Sequence, residues 1–294
     1  MSITTIPSAL YKYVGYCRGA QILRDLSIRF SQASVLNDVD EFRPLYKGFA
    51  SRAETEETVR DLLLRQHPTE FSNLYLEYPI DQADQLIDKM ASMGAVHLEE
   101  NAYEKIVNGM YAQWDRDCGL LSLSEALTSK LMWSFYCDGG RGVVIEFASS
   151  HAWFNGKTSD NDSFHHLRKV RYVGEREPMY LLDTKTDAAT KDEAVLYTKT
   201  TEWKFEKEWR LIRNLTEGEK EEKQDSYKKD VFLFEIPPSA IQAVIFGYRT
   251  TSENKNALRK IVSANADLKH IAFKQAVRNV DGKIEIVSDV TGIL

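Results

Sequence analysis

The chain has 294 residues, of which 43% are hydrophobic and 28% are charged, so it can bury a full core as one large domain or two small ones. Its formal charge of -6 argues against broad electrostatic capture of a nucleic-acid backbone, although a local basic patch is compatible with that average. The three cysteines lack Cys-x-x-Cys or Cys/His spacing, and no apolar run nears the ~18 residues that cross a bilayer, so we expect a cytoplasmic protein without disulfides, structural zinc or a membrane span.

The first half of the chain predicts short strands around a long helical region. From residue 50 to 114, apolar residues recur at helical spacing with few strand formers between them, which predicts a helical insertion. The other elements predicted in this half are a strand at 10–14, a helix at 18–26, strands at 27–31 and 118–124, a helix at 125–136 and a strand at 143–147.

The second half predicts more strands than helices. Its elements are a β-prone stretch at 166–173, a helix at 188–200, strands at 209–213, 231–236 and 243–246, a helix at 251–264 with Ser252 as its N-cap, and strands at 270–275 and 284–287. Because regular helices do not separate the strands, a doubly wound fold is excluded. We predict an α+β fold with mixed, mostly antiparallel sheets, formed by residues 1–294 as a single domain with a helical insertion at about 50–114.

The segment Glu206-Lys-Glu208-Trp-Arg210 is the strongest candidate for chemistry. In an extended strand Glu206 and Glu208 lie on one face, and Arg210 continues that face. Like charges on one strand face repel each other and folding does not require them, so an acidic pair beside apolar anchors indicates a site. The alternative is a half-solvated edge strand in which Glu208 pairs with Arg210 or Arg213.

Other motifs leave alternatives open or point to no chemistry. Neither a phosphate-binding glycine loop nor a GxGxxG dinucleotide fingerprint occurs, which argues against P-loop and Rossmann chemistry. The acidic cluster around Asn37, Asp38, Asp40 and Glu41 has oxygen ligands of the kind that Mg²⁺ or Ca²⁺ prefers, and it is also typical of a turn whose side chains satisfy backbone amides. No resident metal is predicted.

The order of several motifs resembles a large bacterial and phage protein family known only as a domain of unknown function. The resemblance spans nearly the whole chain apart from residues 50–114. The motifs are Leu10-Tyr-Lys-Tyr13, Phe30-Ser31 followed by Asn37-Asp38 and Glu41, Met132-Trp-Ser-Phe-Tyr136, Gly142-Val-Val-Ile-Glu-Phe147, and Lys199 with Trp203 and Glu206-Lys-Glu-Trp-Arg210.

The chain also resembles ADP-ribosyltransferases, whose late strand begins with a Glu that many members spell as Glu-any-Glu. This resemblance implies a split sheet and NAD as the substrate, with Glu208 and Glu206 as the catalytic residues. It also implies contacts from the first strand and from later hydroxyl and aromatic groups. The cofactor-binding residues implied in this way are Lys12, Tyr11, Ser31 (or Ser122 in its place), Trp133, Tyr136 and Arg210.

Three functions remain open on the sequence. The first is an NAD-consuming transferase that modifies a protein or nucleic-acid acceptor, as a toxin or phage-defence effector with a possible antitoxin or defence partner. The second is a non-catalytic sensor or binding module of a defence system, with the acidic pair ion-paired to Arg210. The third is a metal-dependent nuclease that uses Asp38, Asp40, Glu41 and Glu208.

Overall fold

A computed structural model describes residues 5–159, 162–221 and 224–289 of the chain. Within these residues the chain separates into two units. Unit 1 takes the described residues up to Glu41, those from 115 to 174 and those from 197 onwards. Unit 2 takes residues 42–114 and 175–196.

Strands and helices follow each other irregularly along the chain. The strands are β1 Ala9–Val14, β2 Ser27–Phe30, β3 Tyr46–Phe49, β4 Cys118–Ser124, β5 Val143–Ala148, β6 Arg168–Lys169, β7 Arg171–Val173, β8 Met179–Leu181, β9 Thr198–Thr200, β10 Glu208–Asn214, β11 Glu219–Lys220, β12 Phe232–Glu235, β13 Ile241–Phe246, β14 Ala272–Arg278 and β15 Ile284–Ser288. The helices are α1 Tyr16–Asp25, α2 Arg52–Gln66, α3 Pro68–Glu77, α4 Ile80–Asn101, α5 Tyr103–Asp117, α6 Lys130–Tyr136, α7 Ala188–Leu196 and α8 Ser252–Ala264.

Unit 1 is built on an eight-stranded sheet in the order β15-β14-β13-β5-β1-β4-β10-β6. Its neighbouring strands are antiparallel except β13 and β14, which are parallel. A three-stranded antiparallel sheet, β11-β12-β2, belongs to the same unit. The predicted α+β class with mixed, mostly antiparallel sheets is confirmed.

The core of unit 1 forms on both faces of β5, because alternate side chains of a strand point in opposite directions. Ile145 and Phe147 pack with residues of α1 and α8, whereas Val144 joins the cluster around Trp133. Full burial of each such side chain contributes about 1.5–3 kcal/mol. Helix α1 approaches β5 closely at Gly19, where an added Cβ would lie 2.4 Å from a methyl group of Val143.

The large sheet opens between two neighbouring strands near its centre, β1 and β4. Strand β1 pairs with β5 along its whole length, from Ala9 to Val14, but it pairs with β4 only through Tyr11 and Ser124. Beyond that pair, no further ladder joins β1 to β4 among the described residues. The sheet therefore leaves a gap in which side chains from both strands can meet a ligand.

Unit 2 is mainly helical. It contains α2, α3, α4, most of α5 and α7, together with the short parallel pair β3 and β8. Helix α2 begins with a capping box, in which Ser51 and Glu54 each accept a hydrogen bond from the other's backbone amide. The helical character predicted for residues 50–114 is confirmed. No helix in the described part of the chain combines the length and apolarity that a bilayer crossing needs.

Three local predictions were wrong. The helix expected at 125–136 starts only at Lys130, because Ser129 caps it by accepting from the amide of Met132. The helix expected at 188–200 ends at Leu196, and the β-branched Thr198 and Thr200 belong to a strand instead. Helix α8 is capped by the side chain of Thr251, not by Ser252, which is its first helical residue.

Candidate functional site

A cavity of about 250 Å³ lies in unit 1 at the opening between β1 and β4. It is bordered by side chains from both strands, from the turn at residues 35–38, from α6, and from the segment between residues 199 and 208. The candidate catalytic residues Glu206 and Glu208 both line it, together with the predicted binding residues Lys12, Tyr11 and Tyr136.

The two carboxylates reach the cavity by a route that the sequence did not predict. Residues Thr201–Glu206 form a 3-10 helix, Lys207 adopts a left-handed conformation with φ of 44°, and β10 begins at Glu208. The prediction of an extended Glu206-Lys-Glu208 segment was therefore wrong. Strand β4 holds this bend in place, because the hydroxyl of Ser124 donates to the carbonyl of Glu206 at 2.5 Å.

Glu206 and Glu208 belong to a buried cluster of alternating charges. The ammonium group of Lys199 lies 2.9 Å from Glu206 Oε2 and 3.1 Å from Glu208 Oε2. The guanidinium of Arg210 lies 3.1 Å from Glu208 Oε2 and 2.6 Å from Glu41 Oε1. Each of these five side chains is at most 7% exposed, and each carboxylate contacts at least one cation. This pairing is what permits so many charges to be buried together.

Glu208 is held in its ionised form. Burial alone would raise the pKa of Glu208, but Arg210 and Lys199 outweigh burial and lower it to about 2. The hydroxyl of Ser122 also donates to Glu208 Oε1 at 2.5 Å. Glu208 thus presents a fixed negative charge in a water-poor site, where electrostatic interactions are stronger than in bulk water.

The pKa of Glu206 is displaced in the opposite direction. Burial and the neighbouring charge of Glu208 raise the pKa of Glu206 above its ordinary value, against the opposing effects of Lys199 and Tyr136. The hydroxyl of Tyr136 donates to Glu206 Oε1. Burial and the negative charge of Glu206 raise the pKa of Tyr136, so the tyrosine stays a donor. A carboxylate with a raised pKa is suited to accepting a proton.

Lys12 extends into the opening of the sheet. Its ammonium group donates to the carbonyl of Ser122 at 3.1 Å, which bridges β1 to β4 where their ladder has ended. Burial lowers the pKa of Lys12 to about 8, although the charges of Glu208 and Glu206 oppose this shift. Near neutral pH the side chain is therefore charged, and it loses that charge under mildly basic conditions.

The acidic turn is divided between the ionic cluster and the cavity wall. Glu41 belongs to the cluster, whereas Asp38 accepts from the backbone amide of Asp40 at 2.9 Å and also lines the cavity. The interpretation of this segment as a turn is confirmed for Asp38. No group of three or more His, Cys, Asp or Glu side chains suited to a metal ion occurs in the described ranges.

Three predicted binding residues do not border the cavity. Ser31 forms a bridge with Leu120, and the hydroxyl that faces Glu208 comes from Ser122 instead. Trp133 is fully buried, packs against core rings and donates its indole N–H to the carbonyl of Leu127 at 2.8 Å. Arg210 is also fully buried and acts on Glu208 from behind the cavity wall. The structure thus places these three side chains outside the wall of this cavity, with Trp133 in the core and Arg210 in the ionic cluster.

Lys199 and Glu41 are the cluster members that the sequence did not assign to the NAD site. Both stand in the motifs that suggested family resemblance, but their role depends on contacts between distant segments. A lysine in a β-prone stretch normally points to solvent. Its place in the cluster is evident only from the burial of its ammonium group among three carboxylates.

The sequence comparison supports one of the two resemblances. Residues 132–211 match the model of DUF2971, described as a protein of unknown function. The predicted resemblance to a family of unknown function is confirmed. The matching region contains Lys199, Glu206, Glu208 and Arg210, which are four of the five side chains of the ionic cluster, and it also contains Tyr136. The comparisons with curated proteins and with solved structures gave no match.

Proposed function

We propose that this protein is an NAD-dependent, ADP-ribosyltransferase-like enzyme that modifies a macromolecular acceptor. The observation that carries the proposal is that Glu206 and Glu208 border one cavity, with pKa values displaced in opposite directions. Neighbouring carboxylates displaced in this way are typical of acid–base pairs with separate roles. The opening of the sheet between β1 and β4 also agrees with the split sheet that the resemblance implies.

The charge of Glu208 suits the cleavage of a nicotinamide glycosidic bond. When the C1′–N bond breaks, nicotinamide leaves with the bonding electron pair and positive charge develops on the ribose. A fixed carboxylate stabilises this oxocarbenium-like state more strongly in a buried site than water does. Glu208 stays ionised because Arg210 and Lys199 lower its pKa, and it needs no proton transfer to act.

Glu206 suits the second half of the reaction. The acceptor nucleophile forms a bond to C1′ and must lose a proton, which Glu206 takes because its pKa is raised. The hydroxyl of Tyr136 donates a hydrogen bond to Glu206 Oε1, and this bond orients the carboxylate. Lys199 contacts both carboxylates and keeps them at a fixed separation.

The cavity matches one end of NAD rather than the whole dinucleotide. At about 250 Å³ it is smaller than the ~300–1,000 Å³ usual for small-molecule sites. The nicotinamide ring of NAD carries a positive charge, and the lining carboxylates of Asp38, Glu41, Glu206 and Glu208 outnumber the lining ammonium groups. In this proposal Tyr136 and Tyr11 contact the ring and ribose, and Lys12 contacts an acceptor oxygen of the cofactor.

The decisive experiment measures nicotinamide release from NAD by the purified protein in the presence of cell extract. We expect Glu208→Gln to reduce the rate by at least ~100-fold, as removal of one transition-state partner does in other enzymes. Glu202→Gln is the matched control, because Glu202 is exposed in the same 3-10 helix and does not line the cavity. Undiminished turnover by a folded Glu208→Gln variant would overturn the proposal.

A second candidate function is a non-catalytic binding module. It is favoured by the close pairing of Glu208, which contacts Lys199, Arg210 and Ser122. In that case the cluster holds β4, β9 and β10 together, the protein turns over no nucleotide, and Glu206→Gln is tolerated in binding assays. A metal-dependent nuclease is less well supported, because the oxygens of Glu41 and Glu208 face cations of the protein itself.

The cellular role follows from the same proposal. An enzyme that consumes NAD and modifies macromolecules fits a toxin or phage-defence effector, with an antitoxin or a defence protein as its partner. A cytoplasmic location, in which thiols stay reduced, is part of the same proposal.

A further inference from the structure

One oxygen of Asp38 is buried at the cavity wall without a hydrogen-bond partner. The Asp38 side chain is 7% exposed, and its Oδ1 atom accepts from the amide of Asp40 at 2.9 Å. Its Oδ2 atom has no donor within hydrogen-bonding distance. Leaving a buried carboxylate oxygen unpaired costs more free energy than leaving a neutral acceptor unpaired. An oxygen of this kind at a cavity wall indicates that the ligand supplies the donor.

The turn that carries Asp38 is fixed from both sides. On its amino-terminal side, Ser34 donates its amide and its hydroxyl to the carboxylate of Asp115, at 2.8 and 2.9 Å. On its carboxyl-terminal side, Glu41 is bound to the buried guanidinium of Arg210. The turn that places Asp38 at the cavity wall is therefore anchored at both ends, and the hydrogen bond from the Asp40 amide to Oδ1 orients its carboxylate, which makes Oδ2 a preorganised acceptor.

We propose that Asp38 recognises the carboxamide of the nicotinamide ring, by accepting a hydrogen bond from its N–H₂ group. This inference rests on the proposed function, since it concerns the same cavity. The ring end of NAD is favoured over the ribose for geometric reasons. Asn37 and Asp38 adjoin Tyr136, whose hydroxyl interacts with the Asn37 side chain, and Tyr136 is the ring-contacting residue. The ribose hydroxyl is instead matched by Glu208.

The chemistry makes Asp38 a specificity determinant. A primary amide has two N–H donors, whereas the carboxylate of nicotinic acid has none and carries a negative charge. The carboxylate of nicotinic acid is repelled by the like charge of Asp38, and neither group gains a hydrogen bond from the other. The site therefore selects nicotinamide adenine dinucleotide over nicotinic acid adenine dinucleotide, which differ only at this group.

The test compares these two dinucleotides by titration calorimetry without acceptor, using wild type, Asp38→Asn and Asp25→Asn. Asparagine keeps the oxygen that accepts from the Asp40 amide, but it replaces the unpaired acceptor with a donor. Asp25→Asn is the matched control, because Asp25 is exposed and does not line the cavity. We expect wild type and Asp25→Asn to prefer NAD by at least ~10-fold, and Asp38→Asn to lose that preference.

The outcomes separate this inference from the proposed function. Equal affinity of the wild type for both dinucleotides, with NAD turnover intact, overturns the role of Asp38 and leaves the function standing. An equal loss of affinity for both ligands in Asp38→Asn also overturns it, because that result assigns Asp38 to a part that the ligands share. If the wild type binds neither dinucleotide, both proposals fail. The wild-type preference is measured independently of any variant, so misfolding of Asp38→Asn does not remove the test.

Discussion

Arg210 and Arg60 each bridge two carboxylates, in opposite environments. In unit 1, Arg210 is fully buried and contacts Glu41 and Glu208 at 2.6 and 3.1 Å. In unit 2, Arg60 is 31% exposed and contacts Asp84 and Asp88, both at 2.9 Å. The distances are similar, so geometry alone does not distinguish the two groups.

The difference lies in what water does for each group. The charges around Arg60 remain largely hydrated, so their pairing adds little free energy and their loss is easily tolerated. The charges around Arg210 have lost their hydration, and each depends on the others to remain ionised. Surface pairs of the first kind connect helices, whereas a buried cluster of the second kind holds ionised side chains at the wall of the cavity. Four predictions test this contrast.

The largest effect is expected when the buried guanidinium is removed. Arg210→Met leaves Glu41 and Glu208 with one cation fewer in a buried site, and we expect the free energy of unfolding to fall by about 3–5 kcal/mol. Urea denaturation followed by circular dichroism measures this change. Arg210→Lys is the control, because lysine keeps the positive charge but lacks the planar guanidinium group. A loss below about 1 kcal/mol in Arg210→Met would show that the cluster is not the tightly paired unit described above.

Acid should reduce the stability of the fold by protonating Glu208 in the cluster. Its pKa lies near 2 in the folded protein and at 4.5 when unperturbed, so the unfolded chain takes up the proton first. The stabilising contribution is therefore complete above pH 4.5 and is lost as the pH falls toward 2, by up to about 3 kcal/mol. The raised pKa values of Glu41 and Glu206 act in the opposite direction and reduce the total. Between pH 5 and 3, the free energy of unfolding should fall more steeply with decreasing pH for wild type than for Glu208→Gln. Equal pH dependence of the two proteins would argue against this assignment.

Lys12 should make NAD binding and stability respond to base in opposite directions. Its pKa falls from 10.5 to about 8 on folding, so the unfolded chain holds the proton more tightly and stability rises between pH 8 and 10.5. Over the same range Lys12 loses the charge that would contact the cofactor under the proposed function, so NAD affinity should fall by up to ~10-fold per pH unit. Titration calorimetry at pH 7 and 9 checks the binding arm. The NAD affinity of Lys12→Met should be the same at pH 7 and 9. A pH dependence of binding that persists in this variant belongs to another group.

The smallest effect is expected at the exposed arginine. Arg60→Met removes contacts to Asp84 and Asp88 that water replaces, so we expect a loss of only about 0–1 kcal/mol by urea denaturation. The loss should shrink further at high salt, because exposed pairs are screened. A loss as large as that of Arg210→Met would remove the contrast between the two regions.

Local sequence patterns were sufficient for most strands and for the helical region, but not for the bend at the site. The β-branched run from Val143 to Phe147 could form only a buried strand, and it did. The spacing of Glu206 and Glu208 indicated a shared strand face, yet Lys207 takes a left-handed conformation that separates the helical turn from the strand. Nothing local predicts that conformation, since it is held by hydrogen bonds from Ser124, the last residue of the distant strand β4, and from Glu125, which follows it.

The sequence by itself determined that the protein is α+β, that strands outnumber helices after residue 118, and that a pair of glutamates marks the site, because these features depend on side-chain periodicity and composition. Tertiary structure decided which charges face each other. Glu41, Lys199 and Arg210 meet only because separate strands converge, and burial among them then sets the pKa values of Glu206 and Glu208 in opposite directions. Desolvation and long-range pairing arise only when the chain has folded, so no local pattern contains them.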